Sequence, residues 1–147
     1  RQRLRRGRRA RPVARLAVGQ RLAKIKPAPA AIDISDGLWQ DLGHVLERSR
    51  VGAEIEAGAI PLSLAYRAVA ADDLEFALSG GEDYELLFCL RPGHSEAALT
   101  RRLGVPIRRI GRIVAGRGAR LIDEINGRKI AVPRIVGWDQ LRTHGAR

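Results

Sequence analysis

The stretch AAIDISDGLWQDLGHVLERSRVGAEIE, residues 30–56, decides the architecture. AAIDI is a short apolar run that reads as a buried strand. SDG, residues 35–37, reads as a turn. Leu38, Leu42, Val45 and Leu46 then recur at i, i+4, i+7 and i+8, one face of an amphipathic helix reaching about Ser49. Gly52 opens GAEIE, a second strand. A strand, a turn, a helix and a strand in succession are the rhythm of a chain that alternates sheet and helix.

Working outward, Pro61 precedes a short helix over 62–70, and ALSGGEDYELLFCL, residues 77–90, places a glycine loop before an apolar strand. His94 to Leu103 reads as a helix and IRRIGRIV, 107–114, as a strand. ARLIDEINGRKIAV, 119–132, reads as a hairpin whose Asn126-Gly127 pair has type I′ turn chemistry. On the N-terminal side, Pro12 suits a first helical turn in which Val13, Leu16 and Ala17 share a face, ending near Leu22; a proline-containing linker follows. The expected fold class is α/β, an α+β sandwich with a mixed sheet covered by helices.

With 147 residues, 45% of them hydrophobic, the chain can bury a core without disulfide or metal staples. It carries no methionine and begins at Arg1, which reads as a fragment of a longer protein. No apolar run approaches the ~20 residues that cross a bilayer, so neither a membrane span nor an export signal is expected. The single cysteine, Cys89, lies in ELLFCL, reads as a buried thiol and suits a reducing cytoplasm. The net charge of +11 is uneven: the first 26 residues hold 11 Lys and Arg and no acid, whereas the rest carries 16 of each sign. The expected division is a basic arm and linker helix over 1–26 and an α/β domain over 27–147, with non-specific nucleic-acid contact confined to the arm.

Two segments can carry chemistry. In AIDISDGLWQDL, Asp33, Ser35 and Asp36 stand where a strand gives way to a helix, the edge at which α/β folds collect functional groups. Two carboxylates three residues apart suit one hard cation, while Ser35 and free N–H groups at the helix start suit a phosphate oxygen. Equally open is a purely structural role, Ser35 or Asp36 capping the helix and Asp33 bonding the turn. In LSGGEDYELLF, Gly80 and Gly81 permit close approach of a ligand, and Glu82 and Asp83 bring negative charge. Without a P-loop lysine the segment suits a cationic group, or a metal bridging to phosphate, unless it is only a turn with solvated acids. His44, His94 and His144 have no partners at zinc-ligand spacing.

Taken together, IDISDGLWQDLGHVLE, VGAEIEAGAIPLS, ALSGGEDYELLF, IGRI and VGWDQL resemble, in order, the C-terminal half of thiamine-monophosphate kinases, within the aminoimidazole-ribonucleotide synthetase superfamily. The resemblance spans about Pro12 to Leu141 and implies the C-terminal α/β domain of that superfamily. It implies ATP-dependent phosphorylation of thiamine monophosphate to thiamine diphosphate with Mg²⁺ and no phosphoenzyme. By position it makes Asp33 and Asp36 magnesium ligands, Ser35 an ATP contact, and Glu82 and Trp138 contacts to thiamine phosphate. It further implies a homodimer when complete, an N-terminal half bringing more magnesium-binding aspartates, and inactivity of this chain alone. The competing expectations are another superfamily member acting on a different phosphate or carboxylate, or a non-enzymatic binder of RNA or an acidic partner through the arm.

If polyanion binding resides in residues 1–26, a chain beginning at Pro27 loses RNA affinity, and the full chain's affinity falls steeply with salt and ignores sequence. Retention of affinity in the shortened chain would place a nucleic-acid surface on the body.

Overall fold

The structure, a computed structural model, describes residues 13–70, 73–123 and 125–132. The elements run α1 (Leu16–Leu22), β1 (Ala30–Asp33), α2 (Leu38–Ser49), β2 (Gly52–Glu56), a 3-10 turn (Ala57–Ala59), α3 (Leu64–Ala70), α4 (Glu75–Ser79), β3 (Leu86–Cys89), α5 (Glu96–Leu103), β4 (Gly111–Val114), β5 (Gly118–Ile122) and β6 (Lys129–Ile130). The strands form two sheets. One is the antiparallel pair β1 and β3; the other is mixed, in the order β4-β2-β5-β6. Within it β2 runs parallel to β5 and antiparallel to β4, and β6 turns back on β5. The α/β expectation, with helices on a mixed sheet, is met.

The helix read from residues 38–49 is observed, with Leu38, Leu42 and Leu46 buried. They pack on Ala53 and Ile55 of β2, Leu121 of β5, Ile60, and Leu78 of α4. Because strand side chains alternate, Glu54 stands on the opposite face of β2 from Ala53 and Ile55. In register it lies between Arg112 of β4 and Arg120 of β5. Arg112 Nε donates to one Glu54 oxygen at 2.6 Å and Arg120 Nε to the other at 2.9 Å. The triad fastens the three strands on the side away from α2.

A second cluster joins Val18, Leu22 and Ile25 to Leu99 and Leu103 of α5. β3 lies between the clusters: Leu87 packs on the first, Leu86 and Phe88 on the second. A strand packed on both faces needs apolar residues in succession, which explains the unbroken LLFC. Cys89 is half-buried, and burial raises its thiol pKa.

Several expectations are corrected. On α1 the buried stripe is Val18 and Leu22, continued by Ile25, whereas Val13 is 69% and Leu16 75% exposed. β1 is mostly exposed, because among the described residues its one strand partner is β3 and no cluster covers Ala30 or Ala31. Helix α3 begins two residues later than expected, and α4 is a short helix that the sequence pattern does not signal. α5 begins at Glu96 because Ser95 accepts a hydrogen bond from the Ala98 amide. The β5–β6 hairpin is present, but only Gly127 of the Asn126-Gly127 pair has positive φ, so its turn is not type I′. The Gly127 amide instead reaches back to the Asp123 carbonyl, and Asp123 Oδ1 accepts from the Ile125 amide.

Residues 16–25 are part of the folded body. Arg21 donates to the Leu103 carbonyl at 2.8 Å, and Arg102 returns a bond to the Lys24 carbonyl at 3.1 Å. A chain beginning at Pro27 therefore loses Val18, Leu22 and Ile25, so the polyanion comparison is made with a chain beginning at Val13.

Hydrogen bonds from Arg120 and then Arg112 hold the Glu54 carboxyl below the usual range. The folded state thus binds this proton less readily than the unfolded state, and the stabilisation is present above the unfolded value and lost as pH falls through the lowered one. Urea titrations of Glu54→Gln against the parent chain are expected to differ most above about pH 5, to begin converging near the ordinary glutamate value of about 4.3 and to meet only below the lowered folded value.

Candidate functional site

The site grows from the β1–β3 ladder. Pairing ends in register at Asp33 opposite Leu86, but main-chain bonding continues beyond it. The Ile34 amide donates to the Glu85 carbonyl at 2.8 Å, the Tyr84 amide to the Ile34 carbonyl at 2.9 Å, and the Glu82 amide to the Ser35 carbonyl at 2.7 Å. The turn after β1 and the loop before β3 are thereby fastened together. Ser35 is bonded to Glu82, and Asp33 and Asp36 flank it on the same segment. Trp138 lies outside the described residues.

Close approach requires the glycines. A Cβ on buried Gly81 would collide with the Ser35 carbonyl oxygen. Gly37 has φ of 125°, and a Cβ there would come within 3.0 Å of the Leu78 and Ser79 carbonyl oxygens. The loop is also held in an uncommon conformation, since Glu82 and Tyr84 have φ of 69° and 52°. Non-glycine residues in this left-handed region cost about 1–3 kcal/mol each and gather at ligand sites. Arg15 anchors the loop's far end, Nε and Nη2 donating to the two Glu85 oxygens at 2.9 and 2.6 Å. That pairing raises the Arg15 pKa.

The turn differs from the structural alternative raised by the sequence. The N-cap of α2 is Gly37, with no side-chain cap, so neither Ser35 nor Asp36 caps the helix. The residue that organises the turn is Asp41, 2% exposed, whose Oδ2 accepts from the Ser35 amide at 2.9 Å and the Asp36 amide at 3.1 Å. Those two amides are committed and do not face a phosphate. Asp41 was missed because an acid in the first turn of a helix reads as a favourable dipole partner. The only signal was its place in SDGLWQDL, where a hydrophobic stripe would leave it at the edge of the buried face.

The exposed Asp33 and half-buried Asp36 have no side-chain partner among the described residues. Asp33 is also the charged residue in the lining of an otherwise apolar groove of about 420 Å³ between α1 and β1, lined by Leu22, Pro29, Ile32 and Leu86 among others. Among the described residues no group of three or more His, Cys, Asp or Glu is arranged to hold a metal. Two unpartnered carboxylates nevertheless fit Mg²⁺, which takes one or two carboxylates and completes its shell from water and substrate phosphates. Carboxylates and a hydroxyl on one turn, with a further carboxylate on the loop fastened to it, can hold a cation–phosphate ligand without a general base.

Replacing Gly81 by Ala is expected to force the loops apart and destabilise the chain by about 1–3 kcal/mol. Gly19→Ala, in an α1 position with nothing within 4 Å, is expected to stabilise by about 0.5–1 kcal/mol. Urea unfolding of both variants checks the contrast.

Comparison with known proteins matches residues 3–124 to the family described as AIR synthase related protein, C-terminal domain. The thiamine-monophosphate kinase of Haemophilus influenzae is 48% identical over 109 residues, 70% of this chain and 32% of that protein. The crystal structure of the thiamine-monophosphate kinase from Stenotrophomonas maltophilia K279a superposes with a TM-score of 0.69 at 40% identity, covering 80% of this chain and 36% of that one. AaThiL complexed with AMPPCP and TMP superposes with a TM-score of 0.54 at 34% identity, covering 74% and 32%. The chain spans about a third of the length of these relatives. A match over most of its length, on a mixed sheet with the two loops fastened at its site, makes this chain a member of the AIR synthase-related C-terminal domain family.

Proposed function

We propose that the chain is the C-terminal domain of an ATP-dependent thiamine-monophosphate kinase, transferring the γ-phosphoryl group of ATP to thiamine monophosphate to give thiamine diphosphate. The observation that carries this reading is the hydrogen-bonded apposition of the 35–37 turn and the 80–84 loop, in a chain 48% identical to a relative of that name. The acceptor is a phosphate monoester with a second pKa of about 6, already ionised at neutral pH. Proton removal is therefore unnecessary, and positioning and charge stabilisation are the tasks left to the protein.

In this reading Asp33 and Asp36 hold Mg²⁺, which when bound neutralises phosphate charge, and the Ser35 hydroxyl contacts ATP. Glu82 offers its carboxylate to the thiazolium cation, and Trp138 offers a π-face to the same substrate. Ser35 presents no amide to the nucleotide, because Asp41 occupies it. The turn consequently favours a nucleotide arriving with its cation over a bare polyphosphate. The other two thirds of the relatives' length bring the remaining groups, so this chain alone is expected to be inactive. A homodimer of the complete enzyme and a cytoplasmic location belong to the same proposal; among the described residues no helix is long and apolar enough to cross a membrane.

The chain alone, given ATP, Mg²⁺ and thiamine monophosphate, is expected to fold cooperatively and form no thiamine diphosphate. Turnover of about 1–100 s⁻¹ from the isolated chain would contradict the division of the site. Joined to the part of the Haemophilus influenzae relative that it does not span, it is expected to turn over. There Asp36→Asn should weaken Mg²⁺ and ATP dependence, and Glu82→Gln and Trp138→Ala the dependence on thiamine monophosphate. Each should lose about tenfold or more in kcat/KM, equivalent to about 1.4 kcal/mol. Unchanged kinetics in all three folded variants would refute the assignment.

A further inference from the structure

We propose that Asp41 is a positioning residue, its buried carboxylate setting the geometry of the turn that carries Ser35 and Asp36. The proposal deepens the kinase reading and rests on it for what the turn binds. Asp41 is 2% exposed, yet no cation pairs with it among the described residues. Its partners are main-chain dipoles: Oδ2 receives the amides of Ser35 and Asp36, and the residue sits in the first turn of α2, where the helix dipole favours an anion. Its own amide bonds the Gly37 carbonyl at 3.0 Å, so backbone and side chain together span the turn from both ends.

The location argues for positioning over packing alone. Position 41 adjoins a hydrophobic face formed by Leu38, Leu42 and Leu46, where an apolar residue would pack at no polar penalty. What a carboxylate adds is two fixed amides, at the residues whose side chains stand at the site. The effect extends across the apposition, because the Ser35 carbonyl receives the Glu82 amide and the Ser35 amide receives Asp41. One peptide-linked residue thus couples Asp41 to the loop bearing Glu82. Asparagine retains an acceptor oxygen for both amides and alanine retains none, which separates geometry from charge.

The test uses the full chain, ¹⁵N-labelled, with Mn²⁺ alone as a hard-cation probe. In the parent chain the Ser35 and Asp36 amides are expected to be protected from hydrogen exchange, and Mn²⁺ to broaden resonances of residues 33–36. Asp41→Ala should accelerate exchange at Ser35 and Asp36 by about tenfold or more and raise the Mn²⁺ midpoint by a similar factor, leaving Leu46 and Ile55 protected. Asp41→Asn should rescue both readouts to within about threefold of the parent. Unaltered exchange in Asp41→Ala overturns the proposal, as does failure of Asp41→Asn to rescue. Should Asp41→Ala not fold, Asp41→Asn alone decides on the same criterion. If Mn²⁺ broadens nothing in the parent chain, the cation reading of the turn fails, while the exchange comparison still decides the role of Asp41.

Discussion

Three main-chain hydrogen bonds, from Ile34 to Glu85, Tyr84 to Ile34 and Glu82 to Ser35, hold the molecule's two acidic segments together. Without them the SDG turn and the SGGED loop, more than 40 residues apart in sequence, would be separate acidic loops. With them they form one surface, and the rest of the architecture serves to keep that apposition in place. α2 holds the turn from one side through Asp41; α4 brings the Leu78 and Ser79 carbonyls against Gly37. The price is paid locally, in the left-handed backbone at Glu82 and Tyr84 and in glycines where any Cβ would collide.

Charge is distributed to match. The turn and loop collect Asp33, Asp36, Glu82 and Asp83, while among the described residues Arg15 is committed to Glu85 and Arg21 to a helix C-terminus. Arg112 and Arg120 are held by Glu54 on the mixed sheet, away from α2. Among the described residues, the unpartnered carboxylates of Asp33 and Asp36 repel a bare polyphosphate. The surface suits a phosphate group accompanied by its own cation, and an organic cation on the second substrate, which are the chemistries of the proposed reaction.

The anchoring of α1 shows how modest contacts add up when they share geometry. A partly exposed Arg–Glu pair contributes little by itself, but Arg15 meets Glu85 with two parallel bonds, the arrangement that wastes least side-chain freedom. Arg21 and Arg102 exchange bonds with carbonyls across the α1–α5 contact, and Val18, Leu22 and Ile25 close the apolar layer beneath. The segment that joins the arginine-rich N-terminus to the body is thus itself part of the body, and it touches the loop that carries Glu82 at Glu85.

Local pattern alone determined α2, β2 and the β5–β6 hairpin, because their hydrophobic periods were unambiguous and their ends carried glycine or turn residues. It also determined the two acidic motifs and, by their resemblance to a known family, their pairing. Tertiary structure decided what periodicity left degenerate. On α1, both Val13/Leu16/Ala17 and Val18/Leu22 fit a helical stripe, and the position of α5 selected the second. On β1, an apolar run of five residues fitted a buried strand, yet among the described residues β3 is its one strand partner and Ala30 and Ala31 are exposed. At Asp41, first-turn acidity fitted a solvent-facing dipole partner, and only the fold of the preceding turn back over α2 made it a buried acceptor for two amides. On α1 and β1 the deciding partner lies outside the window over which a repeating pattern can be read; at Asp41 the partners are only five and six residues away, but they are reached through a non-helical turn that no repeating pattern encodes.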